Sequence, residues 1–133
     1  MADRLHSATI HLLRRLRVQD EALGISAPRL SALSVLVFAG AMRIGALARI
    51  EQVEPPTMTR LIDGMERDGY VSRRPDPDDR RAVVVHATTK GRGALTKGRA
   101  QRVAALAADI RTLSPQELTA LAAGVEALEQ MLD

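Results

Sequence analysis

Pro55-Pro56-Thr57-Met58-Thr59-Arg60-Leu61-Ile62-Asp63-Gly64-Met65-Glu66-Arg67-Asp68, closed by Gly69, is the stretch whose reading decides the fold. Proline at a helix start sacrifices no hydrogen bond, because the first amides have no intrahelical acceptor. Pro56 should also push Pro55 out of helical conformation and hold the preceding loop in one geometry. Met58, Leu61, Ile62 and Met65 recur at helical spacing and form an inward stripe. Thr57, Thr59 and Arg60 are left near the N-terminus to face outward. Gly64 carries a cost of ~1 kcal/mol relative to alanine inside a helix, and close packing against the preceding helix would account for it.

Working outward, a short helix of about Ile44 to Glu51 precedes this one across a turn. Two β-like runs follow it, Tyr70 to Arg74 and Ala82 to His86, around the tip Pro75-Asp76-Pro77-Asp78-Asp79-Arg80-Arg81. Helix, turn, helix and charged hairpin in that order make a winged helix-turn-helix, a shape used chiefly to read duplex DNA. The flanks are helical. A first helix of about Asp3 to Leu23 carries Leu5, Leu12, Leu16 and Leu23 on one stripe, with Gly24 as its stop. Ser26 can cap a second helix that ends at Gly40. A long helix is expected from Thr88 or Thr89 to about Arg111. Ser114-Pro115-Gln116-Glu117 then supplies a cap, a first-turn proline and the glutamate of a capping box. Beyond it Leu118, Leu121, Val125, Leu128 and Leu132 form a coiled-coil-like seam. The seam packs either on this chain's own first or long helix or on a second subunit, and amphipathic helices at both termini favour a two-fold dimer. The expected fold class is mainly α with a small β-hairpin.

Composition bounds the function. The chain has 133 residues and no cysteine, so disulfides, thiolate metal sites and thiol switches are excluded. No apolar run approaches the ~18 residues of a membrane span, and no signal peptide is apparent. These features lead us to expect one soluble, cytoplasmic domain. The formal net charge is +3, too small for a nonspecific basic tail, so position matters more than total. Lys90, Arg92, Lys97, Arg99 and Arg102 nevertheless follow one another with no acid among them.

The residues at the second helix suit DNA. Helix N-termini attract phosphate through free amides and the macrodipole. Threonine can donate or accept at base edges, and arginine can fork onto guanine, the role open to Arg60. In the hairpin, Asp79 beside Arg81 could hold the guanidinium extended toward a narrow minor groove. Arg73, Arg74 and Arg80 are then natural phosphate contacts. The plainer reading of the tip is a turn rich in proline and aspartate because turns favour them.

Ile44-Gly45-Ala46-Leu47-Ala48, Pro56-Thr57-Met58-Thr59-Arg60-Leu61-Ile62-Asp63, Glu66-Arg67-Asp68-Gly69-Tyr70-Val71, the wing Arg73 to Arg81 and Thr88-Thr89-Lys90-Gly91 together resemble the MarR family of bacterial transcription regulators. The resemblance implies a homodimer of winged helices on a pseudo-palindromic operator, with residues of about 28–87 as the winged helix-turn-helix and about 1–24 and 88–133 as dimerisation helices. It implies a DNA surface of Pro55, Pro56, Thr57, Thr59, Arg60, Arg73, Arg74, Asp79, Arg80 and Arg81. The dimer interface would use Leu5, Leu12, Leu118, Leu121, Val125, Leu128 and Leu132. Most family members are repressors released by a small ligand, often an aromatic acid, held between the dimerisation helices and the winged helix. By family position such a pocket would draw on Leu12, Arg15, Leu33, Val37 and Met42. With Phe38 and Tyr70 the only aromatic residues, such a pocket would offer little ring stacking.

No enzyme is expected. His6, His11 and His86 lack ligand spacing, and Gly91-Arg92-Gly93 lacks the Gly-Lys-Ser/Thr ending of a phosphate loop. No nucleophile elbow or carboxylate pair is visible, and no cofactor is implied. Two alternatives remain: a ligand-independent architectural DNA binder, and a winged helix turned to protein interaction.

Overall fold

A computed structural model describes residues 1–133, built from six helices and one hairpin. In chain order these are α1 (Ala2–Glu21), α2 (Ala27–Phe38), α3 (Ile44–Glu51), α4 (Pro55–Arg67), β1 (Val71–Pro75), β2 (Val83–Ala87), α5 (Thr89–Ile110) and α6 (Pro115–Leu132). The mainly helical winged-helix architecture is the one the residue pattern implies. Each strand starts and ends one residue later than its apolar pattern suggests. The antiparallel register pairs Val71 with Ala87, Arg73 with Val85 and Pro75 with Val83. Met42 adds a third rung on the far edge of β2, exchanging both backbone hydrogen bonds with Val85 at 3.1 and 2.8 Å.

The core lies in the middle of the chain. Leu33 and Leu36 of α2, Leu47 of α3, Met58, Ile62 and Met65 of α4, and Val71 and Val85 of the hairpin are fully buried together. The flanking helices add almost nothing to it: α1 buries only Asp20, α5 only Gly91 and Gly98, and α6 no residue. This division follows from the sequence, because α3, α4 and the strands are too short to survive without tertiary packing.

Local signals set the helix ends. At α6 the capping box forms as the Ser-Pro-Gln-Glu pattern implies: the Glu117 N–H donates to Ser114 Oγ at 3.3 Å and the Ser114 N–H donates to Glu117 Oε2 at 2.8 Å. The Ser114 amide holds the Glu117 carboxyl below its ordinary pKa. Thr88 caps α5 by accepting from the Gly91 N–H at 3.1 Å, while its own hydroxyl donates to the Gly69 carbonyl at 2.6 Å. Glycine at 91 is what lets this junction close, since a Cβ there would overlap the Tyr70 carbonyl oxygen and Leu33 Cδ2. Between α3 and α4, Gln52 takes the left-handed conformation (φ 56°) at a position where glycine is usual.

Candidate nucleic-acid interface

The helix α4 begins one residue earlier than its proline pair suggests. Pro55 is itself helical, and the extended conformation before proline falls on Glu54 (ψ 141°) instead. Two consequences follow for anion binding. Pro55 and Pro56 have no N–H to offer, and the Met58 N–H is already bonded to the Glu54 carbonyl at 3.1 Å. Only the Thr57 amide of the first turn is left to a phosphate, so side chains rather than a bare amide cradle must do the binding. Thr57, Thr59 and Arg60 are exposed, while Met58, Ile62 and Met65 anchor the opposite face. The Thr59 hydroxyl donates to the Pro55 carbonyl at 3.0 Å, which leaves its oxygen to act as an acceptor.

The wing is a compact, hydrogen-bonded tip. The Asp76 N–H donates to the Ala82 carbonyl and the Ala82 N–H to the Asp79 carbonyl, both at 2.9 Å. Asp76 and Asp79 each cap a turn two residues on, accepting from the N–H of Asp78 at 2.9 Å and of Arg81 at 3.1 Å. The expectation for Asp79 is therefore corrected. Its carboxylate holds the Arg81 backbone, not the Arg81 guanidinium, and its nearest cation is Arg43 at 3.9 Å.

Arg43, which no sequence motif singles out, fastens the wing to the helices. It sits just before α3, and its Nε and Nη2 both reach Asp76 Oδ2, at 2.8 and 2.7 Å. Asp76 is the one buried acid of the wing, at 8% exposure. The Asp78 amide, followed by the Arg43 guanidinium, keeps its carboxyl below the ordinary range. No local pattern signals this contact, because its partners lie 33 residues apart.

The wing arginines divide into two kinds. Arg74, Arg80 and Arg81 are exposed and form no ion pair. Arg73, expected beside them as a phosphate contact, is instead folded back on α4, bonded to Asp63 at 2.5 Å and to Glu66. Its single positive charge is shared between two carboxylates of α4 and offsets one of their two charges. His86, opposite Ser72 in the hairpin, has a buried Nδ1 without a partner. Burial, with Arg74 and Arg92 nearby, pushes its pKa down.

The residues expected to line a ligand pocket are not brought together. Leu33 is fully buried in the central core, Met42 is spent on the edge of β2, Leu12 faces solvent, and Arg15 pairs with Asp109 of α5 at 2.6 Å. Val37 alone of the five borders a sizeable cavity, a cleft of about 580 Å³ between α2 and α5 that also takes in Phe38, Arg92 and Arg99. A second cleft of about 330 Å³ opens between α1, α2 and α5, walled by Leu13, Leu16, Leu30 and Leu95. At its edge Arg102 donates to the buried Asp20 at 2.6 Å. Helical periodicity could place these leucines on faces, but not decide which faces enclose space.

At the termini, Leu5, Leu12, Leu118, Leu121, Val125 and Leu132 are all exposed, and only Leu128 of the α6 seam is half-buried. Within the chain the seam is therefore left largely exposed. No helix is long and apolar enough to cross a membrane.

Comparison with known proteins agrees with this geometry. A profile described as the MarR family matches residues 25–83, the span from the approach to α2 through the start of β2. An uncharacterized HTH-type transcriptional regulator of Mycobacterium bovis is 35% identical over 133 residues, covering all of this chain and 93% of its own. Among solved structures, a cysteine-to-serine mutant of MarR from E. coli superposes with a TM-score of 0.82 at 23% identity, covering 100% of this chain and 96% of that one. A point mutant of S. aureus MepR, bound to an oligodeoxyribonucleotide, superposes with a TM-score of 0.78 at 19% identity, covering 100% and 99%. At those identities the structural likeness speaks to the fold, while the full-length sequence relative and the profile speak to descent. The chain belongs to the MarR family of transcriptional regulators and carries its DNA-binding winged-helix fold.

Proposed function

We propose that the protein acts as a homodimeric repressor that binds a pseudo-palindromic operator and is released by a small apolar or aromatic-acid ligand. The observation that carries the DNA half is where unpaired cations sit: Arg60 beside Thr57 and Thr59 on the exposed face of α4, and Arg74, Arg80 and Arg81 on the wing. Arg60, Arg74, Arg80 and Arg81 are exposed and uncommitted, whereas Arg29, Arg43, Arg73 and Arg102 are all held by acids of the fold. In this reading α4 enters the major groove, with Thr57, Thr59 and Arg60 toward base edges. Arg74 and Arg80 meet phosphates, and Arg81 enters the flanking minor groove from a tip that Asp79 stiffens. Residues of about 28–87 form the DNA-reading unit, and about 1–24 and 88–133 form the dimer.

The dimer reading is supported by the exposed apolar seam of α6 together with Leu5 and Leu12 of α1, surface a monomer would leave in water. A ligand would enter a cleft bordered by α2 and α5, since those helices connect the two units.

Selection of bound duplexes from a random DNA pool, at a stated salt concentration, tests the proposal. A two-fold symmetric motif with half-sites about one helical turn apart is expected. Recovery of no motif above nonspecific binding would refute it and favour the protein-interaction alternative.

A further inference from the structure

The helix α4 is held at its far end by a contact whose chemistry is unusual for a helix interior. Arg29, in the first turn of α2, reaches across to Asp68 at the C-terminal cap of α4, Nη1 to Oδ2 at 2.5 Å, with its side chain mostly buried (26% exposed). Its guanidinium lies directly on the α4 backbone at Gly64. A Cβ on Gly64 would stand 2.6 Å from Arg29 Nη2 and 3.6 Å from Cζ. The missing side chain of Gly64 is thus the seat of the Arg29 guanidinium, and not a close approach of α3 as the sequence suggested. The Asp68 carbonyl accepts from Lys90 Nζ of α5 at 2.6 Å, so α2 and α5 meet at the same end of α4.

We infer that Arg29, seated on Gly64 and anchored by Asp68, is a positioning residue that sets the pose of α4 for base reading. The buried stripe of Met58, Ile62 and Met65 decides which face of α4 points inward. Apolar contacts are non-directional, however, and leave small slides and rotations of the helix inexpensive. A planar guanidinium pinned between a helix backbone and a carboxylate restricts both. Base-edge contacts demand placement within about half an ångström, while long, flexible arginines follow phosphates through shifts of that size. The contact should therefore matter for discrimination between sequences and little for general affinity. The inference rests on α4 being the recognition helix.

The experiment compares the intact protein with Arg29→Ala, Gly64→Ala and the double variant. Binding to the operator recovered by selection and to a scrambled duplex of equal length is measured by fluorescence anisotropy at several salt concentrations, well below each melting temperature. Gly64→Ala is the informative variant. The atom it meets is the end of a side chain and not backbone, so Arg29 can rotate out of its seat at the cost of its Asp68 contact, a loss that the higher helix preference of alanine over glycine offsets. Its melting temperature should be unchanged or raised, yet the operator-to-scrambled ratio should fall by about tenfold, the scale of a single base-edge interaction. Arg29→Ala should lower the ratio similarly, and the double variant should be no worse than Arg29→Ala. Scrambled-duplex affinity and its salt dependence should stay unchanged in all three.

A ratio unaltered by Gly64→Ala and Arg29→Ala, while the unmodified protein discriminates, overturns the positioning role and leaves Arg29 a purely stabilising residue. Additive losses in the double variant would overturn the shared seat. An unmodified protein that shows no operator preference would refute the recognition-helix reading itself, and this inference with it.

Discussion

Adjacent residues of the wing should behave oppositely when removed. Arg73 and Arg74 are neighbours of the same type, yet Arg73 is bound to Asp63 and Glu66 while Arg74 is exposed and unpaired. Each phosphate neutralised by a protein cation contributes ~0.9 to the slope of log affinity against log salt. Between ~50 and ~200 mM salt, a single phosphate partner accounts for ~0.5 log units of affinity, or ~3.5-fold, and its two-fold copy in a dimer brings this to ~12-fold. Arg74→Ala should flatten the salt dependence by that amount and leave the melting temperature nearly unchanged, as exposed substitutions do. Arg73→Ala should do the reverse. Its two partners are 49% and 38% exposed, so solvent screening limits the pairs to ~1 kcal/mol together. That corresponds to a melting temperature lower by roughly 3–5 °C for a domain of this size, with the salt slope largely kept. Anisotropy titrations across the salt range, paired with circular dichroism melts at one protein concentration, read both quantities. If Arg73→Ala flattens the slope as much as Arg74→Ala, the division of the wing arginines into structural and DNA-facing kinds is wrong.

Three further outcomes are expected. Gly91→Ala should destabilise by ~1–3 kcal/mol, because its Cβ meets the Tyr70 carbonyl and a core leucine, whereas Gly93→Ala, which meets nothing, should stabilise by up to ~1 kcal/mol; thermal melts of the two variants decide it. The folded-state pKa of Asp76 is depressed, so its contribution is present above the ordinary carboxylate range and is lost as pH falls through the folded value. Protection of the wing amides, taken relative to their intrinsic exchange rate at each pH, should fall below about pH 4, and Asp76→Asn should remove that acid-dependent step. Leu121→Asp combined with Leu128→Asp should halve the mass measured by light scattering if the α6 seam joins two subunits, and an unchanged mass would exclude that interface.

The helices of this chain announce themselves through signals confined to a few residues: the Ser114–Glu117 capping box, the threonine before α5, the prolines opening α4, and apolar positions at helical spacing. A helix or hairpin is decided by its own backbone hydrogen bonds and by which face its apolar residues share, and both are written within a dozen positions. The winged-helix order and the resemblance to MarR regulators therefore need nothing beyond the chain itself. The exposed faces of Thr57, Thr59 and Arg60 are legible for the same reason.

Charge pairing and enclosed space are different in kind. Arg43 meets Asp76 from 33 residues away, Arg29 meets Asp68 from 39, Arg102 meets Asp20 from 82 and Arg15 meets Asp109 from 94. A guanidinium on a flexible stem has no periodicity that names its partner, so only the packed structure could give Arg73 to Asp63 and Glu66 or give Gly64 its occupant. The same holds for the clefts. Leu12, Leu33, Val37 and Met42 lie on plausible faces, but a cavity exists only where several elements fail to close on one another, which is a property of the assembled helices and of no single stretch. From its sequence alone this protein declared what it is built from and which family it joins; its tertiary structure decided which of its many arginines are bound to acids of the fold and which stay unpaired at its surface.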